Sequence, residues 1–203
     1  MGISLQQFKQ MKARVAGRRP RTASPVLESG ARSVTDVAQV LLGLDPSLRG
    51  TGYGVIRLGR PHPVALAHGT IACPAAWPHS RCLANIAQGI REVVRKFQPS
   101  VCVVEGLFFA QNLQTAIVMG EARGAALAVI AEAGLEIYEL SPRKVKQAIV
   151  GYGAAQKFAV AKMVQRTLRL AEPPSPDAAD ALALALAHAQ GQSRYSLNAP
   201  KPI

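Results

Sequence analysis

The order of hydrophobic patterns along this chain predicts an α/β domain in which helices flank a mixed five-stranded sheet. Three short apolar segments come first, separated by turns that contain glycine or proline, at the close spacing typical of antiparallel hairpins. Segments with helical periodicity then alternate with two further apolar runs, which is typical of parallel strands joined by helices. Apolar residues make up 49% of the chain, enough for a substantial hydrophobic core.

The antiparallel strands are predicted at residues 39–45, 53–58 and 64–71. Gly50 and Gly52 suit the turn between the first two strands, and Gly59 and Pro61 suit the turn before the third. Because so few residues separate these segments, neighbouring strands should pair as hairpins.

The first helix is indicated by apolar residues that recur at helical spacing between Leu83 and Phe97, with Ser80 as the expected N-cap. The apolar run at residues 101–105 follows this helix directly. A continuous apolar strand after a helix suggests a parallel strand that is buried on both faces.

A long helix is predicted over residues 112–133, where Gly120 and Gly124 lie four residues apart. Small residues on one face allow another helix to approach closely, either inside the domain or across a dimer interface. The last strand is predicted at residues 135–140.

Serine–proline pairs mark two of the remaining helices. Ser141-Pro142 combines an N-cap with proline at the first helical position, and Ser175-Pro176 repeats this combination. The glycines of the segment 151–153 interrupt the helical pattern between them. The three helices of this region are predicted at residues 142–149, 155–169 and 176–189.

The formal net charge of +12 and the pI of about 10.3 indicate a polyanionic partner, most often nucleic acid, although such charge can also serve solubility alone. Part of this charge lies in residues 1–37, which we expect to be a disordered basic arm. A start site placed too far upstream, or an organelle transit peptide, would have a similar composition. The arm precedes a domain predicted at residues 38–190 and a polar tail at 191–203.

Cysteine usage and hydropathy indicate the compartment. The three cysteines are odd in number and lack C-x-x-C spacing, which argues against a zinc site or a disulfide framework and favours a reducing compartment. No apolar run of about 18 residues is free of charge, so no membrane span is expected. We therefore expect a cytoplasmic protein of bacterial type.

The few acidic residues lie beside hydrophobic elements. Asp45 and Glu105 each end an apolar strand, whereas Asp177 and Asp180 lie three residues apart on one face of the last helix, near the positive end of its dipole. Carboxylates in such positions are costly unless something compensates them. The alternative is that each is an ordinary turn or first-turn residue.

Brought together, these four carboxylates would form a metal site. Hard oxygen ligands from three separate elements suit Mg²⁺ or Mn²⁺ rather than zinc. Ligands commonly bind at strand ends in sheets with parallel neighbours. Two such ions about 4 Å apart would clamp the attacking water and the leaving oxygen of a phosphodiester.

Four blocks of the sequence resemble the RuvC family of Holliday-junction resolvases. The first block holds Asp45 and the hairpin after it, and the last is Asp177-Ala178-Ala179-Asp180. The blocks occur in the family's order at residues 42–56, 104–124, 145–157 and 177–183. The chain departs from the family's usual pattern at Ser47-Leu48, at Gly106 and in its long basic arm.

The resemblance implies a ribonuclease H-like fold, a homodimer, and Mg²⁺-dependent cleavage of four-way DNA junctions by two symmetric nicks that leave 5′ phosphates. It implies that Asp45, Glu105, Asp177 and Asp180 are both the catalytic residues and the metal ligands. A branch-migration helicase complex is the further partner that it suggests.

DNA-binding residues are also implied. Lys146 and Lys157 would meet phosphate near the scissile bond, with Arg143 and Lys144 adding positive charge. By resemblance, Phe108 would act as a wedge or stacking residue at the junction centre. The alternatives are a solvated helix face for each lysine and a core position for Phe108.

Three rival functions remain open from the sequence. A sugar-kinase or actin-type ATPase shares an early strand, aspartate and hairpin, but needs two such domains. A non-catalytic DNA-binding protein would explain the charge but not the acids. A ribonuclease H-like nuclease acting on other branched or hybrid substrates is the closest rival.

Overall fold

The computed structural model of the chain describes residues 39–106, 112–192 and Pro202. Within these ranges, a five-stranded mixed sheet has helices on both faces, which confirms the predicted fold class. The predicted arm at residues 1–37 and most of the predicted tail lie outside the described residues, as does Phe108.

The sheet combines an antiparallel half with a parallel half. Its strands are β1 (Val40–Asp45), β2 (Gly50–Arg57), β3 (Val64–Ala72), β4 (Val101–Glu105) and β5 (Glu136–Leu140). They lie in the order β3-β2-β1-β4-β5. The β3-β2-β1 pairs are antiparallel, and β4 is parallel to both β1 and β5.

The five described helices form two layers, one on each face of the sheet. They are α1 (His79–Phe97), α2 (Leu113–Glu132), α3 (Pro142–Val150), α4 (Lys157–Leu168) and α5 (Pro176–Gln192). Helices α1 and α2 share a core with alternate strand residues such as Leu42 and Cys102. The intervening residues, such as Leu41 and Val103, pack against α3, α4 and α5. This period of two assigns the buried side chains of β1 and β4 to one of two cores.

Two local predictions were wrong. Strand β2 begins at Gly50 rather than Tyr53, because the pairing with β3 continues through residues predicted as a turn. Helix α1 begins at His79, so Ser80 lies inside its first turn; Pro78 occupies the N-cap position and no side chain caps it. At α3 the predicted cap is confirmed, since the Ser141 hydroxyl accepts a hydrogen bond from the backbone N–H of Lys144 at 3.3 Å.

Helix α2 is the one described helix that is long and apolar enough, by length and composition, to cross a membrane, with 20 residues and a mean hydropathy of 1.3. The sequence had predicted no such segment. One side of α2 is buried in the domain core through Ala122, Ala126, Val129 and Ile130. That side therefore belongs to the folded domain.

Helix α5 approaches the sheet more closely than side chains would allow. A Cβ atom added at Gly43 of β1 would lie 1.9 Å from the backbone oxygen of Ala181. One added at Gly52 of β2 would lie 2.1 Å from the backbone oxygen of Asp177. The sequence needs glycine at these positions because the helix backbone rests directly on the strand backbone.

This contact predicts that Gly43→Ala destabilises the domain. The methyl group would displace α5, and overpacking a rigid core of this kind costs about 1–3 kcal/mol of the free energy of unfolding. Chemical denaturation measures the effect. Gly59→Ala is the matched control, because its added Cβ would make only an ordinary contact, 3.6 Å from the backbone oxygen of His62. Equal stability of the two variants would contradict the account.

Candidate active site

The strand register brings Asp45 and Glu105 side by side. Leu44 pairs with Val104 in the parallel β1–β4 ladder, so the next residue of each strand ends the strand at the same edge of the sheet. Gly43 and Val103, two positions before Asp45 and Glu105, lie on the side of the sheet that packs against α5. Because side chains alternate along a strand, both carboxyl groups point to that side as well. The two groups are close enough for each to shift the pKa of the other.

The first turns of α5 supply the other two acids. Asp177 lies against β2 and β3, where its Oδ2 atom accepts a hydrogen bond from the Thr70 hydroxyl at 3.4 Å. Gly50 leaves space for it, since a Cβ there would lie 2.9 Å from this oxygen. Asp180 is close enough to Asp45 and Glu105 for its charge to act on both. Asp45, Glu105 and Asp180 thus act on one another electrostatically, and Asp177 adds a weaker effect on Asp45.

Burial and mutual repulsion raise the pKa values of the two strand acids. Burial is the largest cause for Asp45, followed by the charge of Asp180. Burial also raises the pKa of Glu105 to about 7, with the charges of Asp45 and Asp180 adding to the effect. Near neutral pH, Glu105 is therefore poised between its protonated and ionised forms.

Lys157 at the start of α4 partly compensates the acids. Its Nζ atom lies 2.9 Å from Oδ2 of Asp180, and this hydrogen bond is the main cause of the raised pKa of Lys157. Lys146 and Lys157 line a cavity of about 220 Å³ together with Glu105 and Asp180. Two predicted phosphate-binding lysines therefore face two of the predicted metal ligands.

The other predicted DNA-binding residues lie apart from this cavity or outside the described residues. Arg143 and Lys144 are exposed in the first turn of α3, and neither lines the cavity. The side chain of Arg143 packs against Gly153, where an added Cβ would lie 2.6 Å from its Cγ atom. Phe108 falls outside the described ranges.

Arg123 of α2 is a residue of the site to which the sequence assigned no role. Its guanidinium donates hydrogen bonds to the backbone carbonyl of Glu105 and to the carboxylate of Glu139. It therefore holds the end of β4, on which Glu105, the predicted catalytic glutamate, lies. A lone arginine within an apolar helix could have indicated this role, because a partly buried guanidinium requires partners.

The donor chemistry of the site fits a divalent cation. Carboxylate oxygens are the ligands that Mg²⁺ and Mn²⁺ prefer, and a cation would offset both the burial and the neighbouring charges that raise the pKa of Glu105. In the described part of the chain, no three His, Cys, Asp or Glu side chains are grouped closely enough to enclose a single ion. The fit therefore depends on the chemistry of the ligands and not on a preformed enclosure for one ion.

This strand order, with acids at the ends of β1 and β4 and at the start of α5, defines a ribonuclease H-like protein. The family model for crossover junction endodeoxyribonuclease RuvC matches residues 41–188. The chain belongs to this RuvC family, which confirms the resemblance seen in the sequence.

Individual relatives agree with this assignment. The crossover junction endodeoxyribonuclease RuvC of Chloroflexus aurantiacus is 42% identical over 149 residues, which cover 73% of this chain and 91% of the relative. The RuvC of Rubrobacter xylanophilus is 44% identical over 152 residues, or 74% and 85% of the two chains. The solved structure of T. thermophilus RuvC in complex with a Holliday junction substrate is 35% identical, covers 81% of this chain and 99% of that chain, and has a TM-score of 0.74.

The raised pKa of Glu105 predicts a pH-dependent stability of the metal-free chain. This pKa is about 7 in the folded state and ordinarily 4.5. The protonated Glu105 carboxyl group therefore contributes its full stabilisation below pH 4.5, and this contribution is lost as the pH rises through about 7. With a chelator present, the unfolding free energy should fall by about 1–2 kcal/mol between about pH 5 and about pH 8, after allowance for partial exposure.

Chemical denaturation at the two pH values measures this loss. Glu105→Gln should abolish most of it, whereas Glu172→Gln, at an exposed carboxylate between α4 and α5, should not. An unchanged pH dependence in Glu105→Gln would contradict the assigned cause.

Proposed function

We propose that this chain resolves four-way DNA junctions by two symmetric phosphodiester cleavages that leave 5′ phosphates. The observation that carries most weight is the cavity in which Glu105 and Asp180 face Lys146 and Lys157. Acids that can bind cations and lysines that can bind phosphate together suit the metal-assisted hydrolysis of a phosphodiester. The proposal is further supported by membership of the RuvC family and by the junction-bound T. thermophilus relative.

The four acids would hold Mg²⁺, with two ions as the arrangement we favour and Mn²⁺ as a substitute. Divalent cations supply activation of water and neutralisation of the leaving oxygen in this class of reaction. Asp45 and Glu105 would be ligands from the sheet, and Asp177 and Asp180 would be ligands from α5. The position of the last two at a helix N-terminus favours their ionised forms.

The chain's own cations would orient the DNA. Lys157 is hydrogen-bonded to Asp180 and exposed, so the same ammonium group can hold this carboxylate and meet a phosphate. Lys146, on the wall of the cavity, would bind a second phosphate oxygen. Arg143 and Lys144 extend the positive surface along the start of α3, away from the cavity. Phe108 is proposed, by family resemblance, as the wedge at the junction centre.

The proposal predicts that Asp45→Asn separates cleavage from binding. Loss of one metal ligand should lower the cleavage rate about a thousandfold, since metal assistance is worth several kcal/mol and about 1.4 kcal/mol corresponds to tenfold. Junction affinity should change little, because phosphate contacts from lysine and arginine dominate it. Gel-shift and single-turnover cleavage assays measure the two quantities.

Glu92→Gln, at an exposed position on α1 away from the cavity, is the matched control and should cleave normally. Each variant is assayed on junction, flap, duplex and RNA–DNA hybrid substrates. Undiminished cleavage by Asp45→Asn would refute the metal site. Equal cutting of the hybrid would favour the rival nuclease over a junction resolvase.

Two symmetric nicks call for a two-fold dimer, and α2 offers a surface for it. Leu113 and Ile117 are 77% and 47% exposed, which is unusual for large apolar side chains. Cβ atoms added at Gly120 or Gly124 would meet nothing within 4 Å. The exposed apolar face of α2, called here the α2 face, consists of Leu113, Ile117, Gly120, Gly124, Ala128 and Ala131. We propose that two copies pack through this face.

Gly124→Glu is predicted to dissociate this dimer. A charge placed at a closely packed helix contact is desolvated without a partner, so dimer affinity should fall by at least about a hundredfold. Light scattering at micromolar concentration, with and without junction DNA, measures the molar mass. Val64→Glu, at an exposed apolar position of the edge strand β3, should remain dimeric. If the unsubstituted chain is monomeric both with and without junction DNA, the proposed dimer is refuted.

A further inference from the structure

An apolar groove lies beside the catalytic cavity and shares two residues with it. The groove has a volume of about 370 Å³ and is bounded by α4, by the start of α5 and by the prolines that connect them. Lys157 and Asp180 line both the groove and the cavity, so the two spaces are neighbours. A nucleotide strand whose phosphate sits in the cavity would therefore pass the groove.

Phe158, at the second position of α4, lies at the edge of this groove and is 76% exposed. The core-facing side of α4 is formed by Val160, Val164 and Leu168, so Phe158 does not serve the core. The exposed ring continues the apolar lining of the groove, and an apolar groove rimmed by polar side chains is typical of a ligand-binding site.

The rest of the groove suits a flat ring attached to a phosphate. Ala161 and Pro174 provide an apolar surface, and Pro173 stiffens the wall that they form. Lys157 and Lys162 lie on the same groove and supply positive charge next to the apolar surface. A nucleobase with its phosphodiester matches this combination of stacking surface and cations. An apolar peptide would offer no anionic group to Lys162.

We propose that Phe158 and this groove bind a nucleobase of the cleaved strand, at a nucleotide that flanks the scissile phosphate. This subsite deepens the proposed function and depends on it. Because every base has a stacking face, the subsite positions the strand and adds affinity without selecting one base. Phe158 is thus a positioning residue for the cleavage.

The test uses four-way junctions with the fluorescent base 2-aminopurine at single positions on either side of the nick, and at one position in a distant arm. Stacking on Phe158 should quench the fluorescence at one flanking position and not in the arm. Phe158→Ala should abolish this quench and weaken junction binding roughly five- to a hundredfold, the range expected for one base–aromatic stack. Phe158→Trp should restore both.

Tyr152→Ala is the matched control, because Tyr152 is also an exposed aromatic, at 56%, but does not line the groove. It should keep the quench. Thermal melting of each variant shows whether the fold is retained, and Phe158→Trp tests the groove if Phe158→Ala is unstable.

Two results would overturn the subsite and leave the proposed function intact. In the first, the quench persists in Phe158→Ala. In the second, no flanking position is quenched while the unsubstituted chain still cleaves junctions. A chain that neither cleaves junctions nor quenches would overturn both.

Discussion

The active site depends on the direct contact between helix α5 and the backbone of β1 and β2. Gly43 and Gly52 are the points at which the helix backbone meets the strands, with separations that leave no room for a methyl group. This contact fixes the depth and rotation of α5, and so it places Asp177 and Asp180 in front of the strand ends. A helix held farther from the sheet would carry the same acids but would not bring them to Asp45 and Glu105.

The same contact creates an electrostatic problem that the rest of the site addresses. Burial, followed by the charges of Asp45 and Asp180, raises the pKa of Glu105 to about 7, so the clustered carboxylates are costly and repel one another. Lys157 offsets part of this repulsion through Asp180. Arg123 fixes the end of β4 from the opposite layer. Divalent cations would supply the remaining compensation, and the net charge of +12 would attract the phosphate backbone to the same place.

Features that follow from local patterns were predictable from the sequence. The period of two in β1 and β4, together with their parallel arrangement, was enough to bring Asp45 and Glu105 to one edge and one face. The spacing of Asp177 and Asp180 was enough to place them on one helix face. Ser141-Pro142 identified the start of α3 because its capping interaction is local.

Features that depend on contacts between distant segments were not predictable. Gly50 and Gly52 look like turn residues, yet they lie within β2 because they pair with β3, and α5, more than a hundred residues later, leaves no room for a side chain at Gly52. The role of Arg123 depends on partners in β4 and β5. The exposure of Phe158 depends on how α4 is rotated in the assembled domain.

Calorimetric titration of Mg²⁺ into the DNA-free chain tests the central claim most directly, with Asp180→Asn titrated beside it. If the four acids converge to hold divalent cations, the unsubstituted chain should show saturable binding, and the variant should bind at least about tenfold more weakly. Saturable binding of equal affinity in both chains, or none in the unsubstituted chain, would contradict the account.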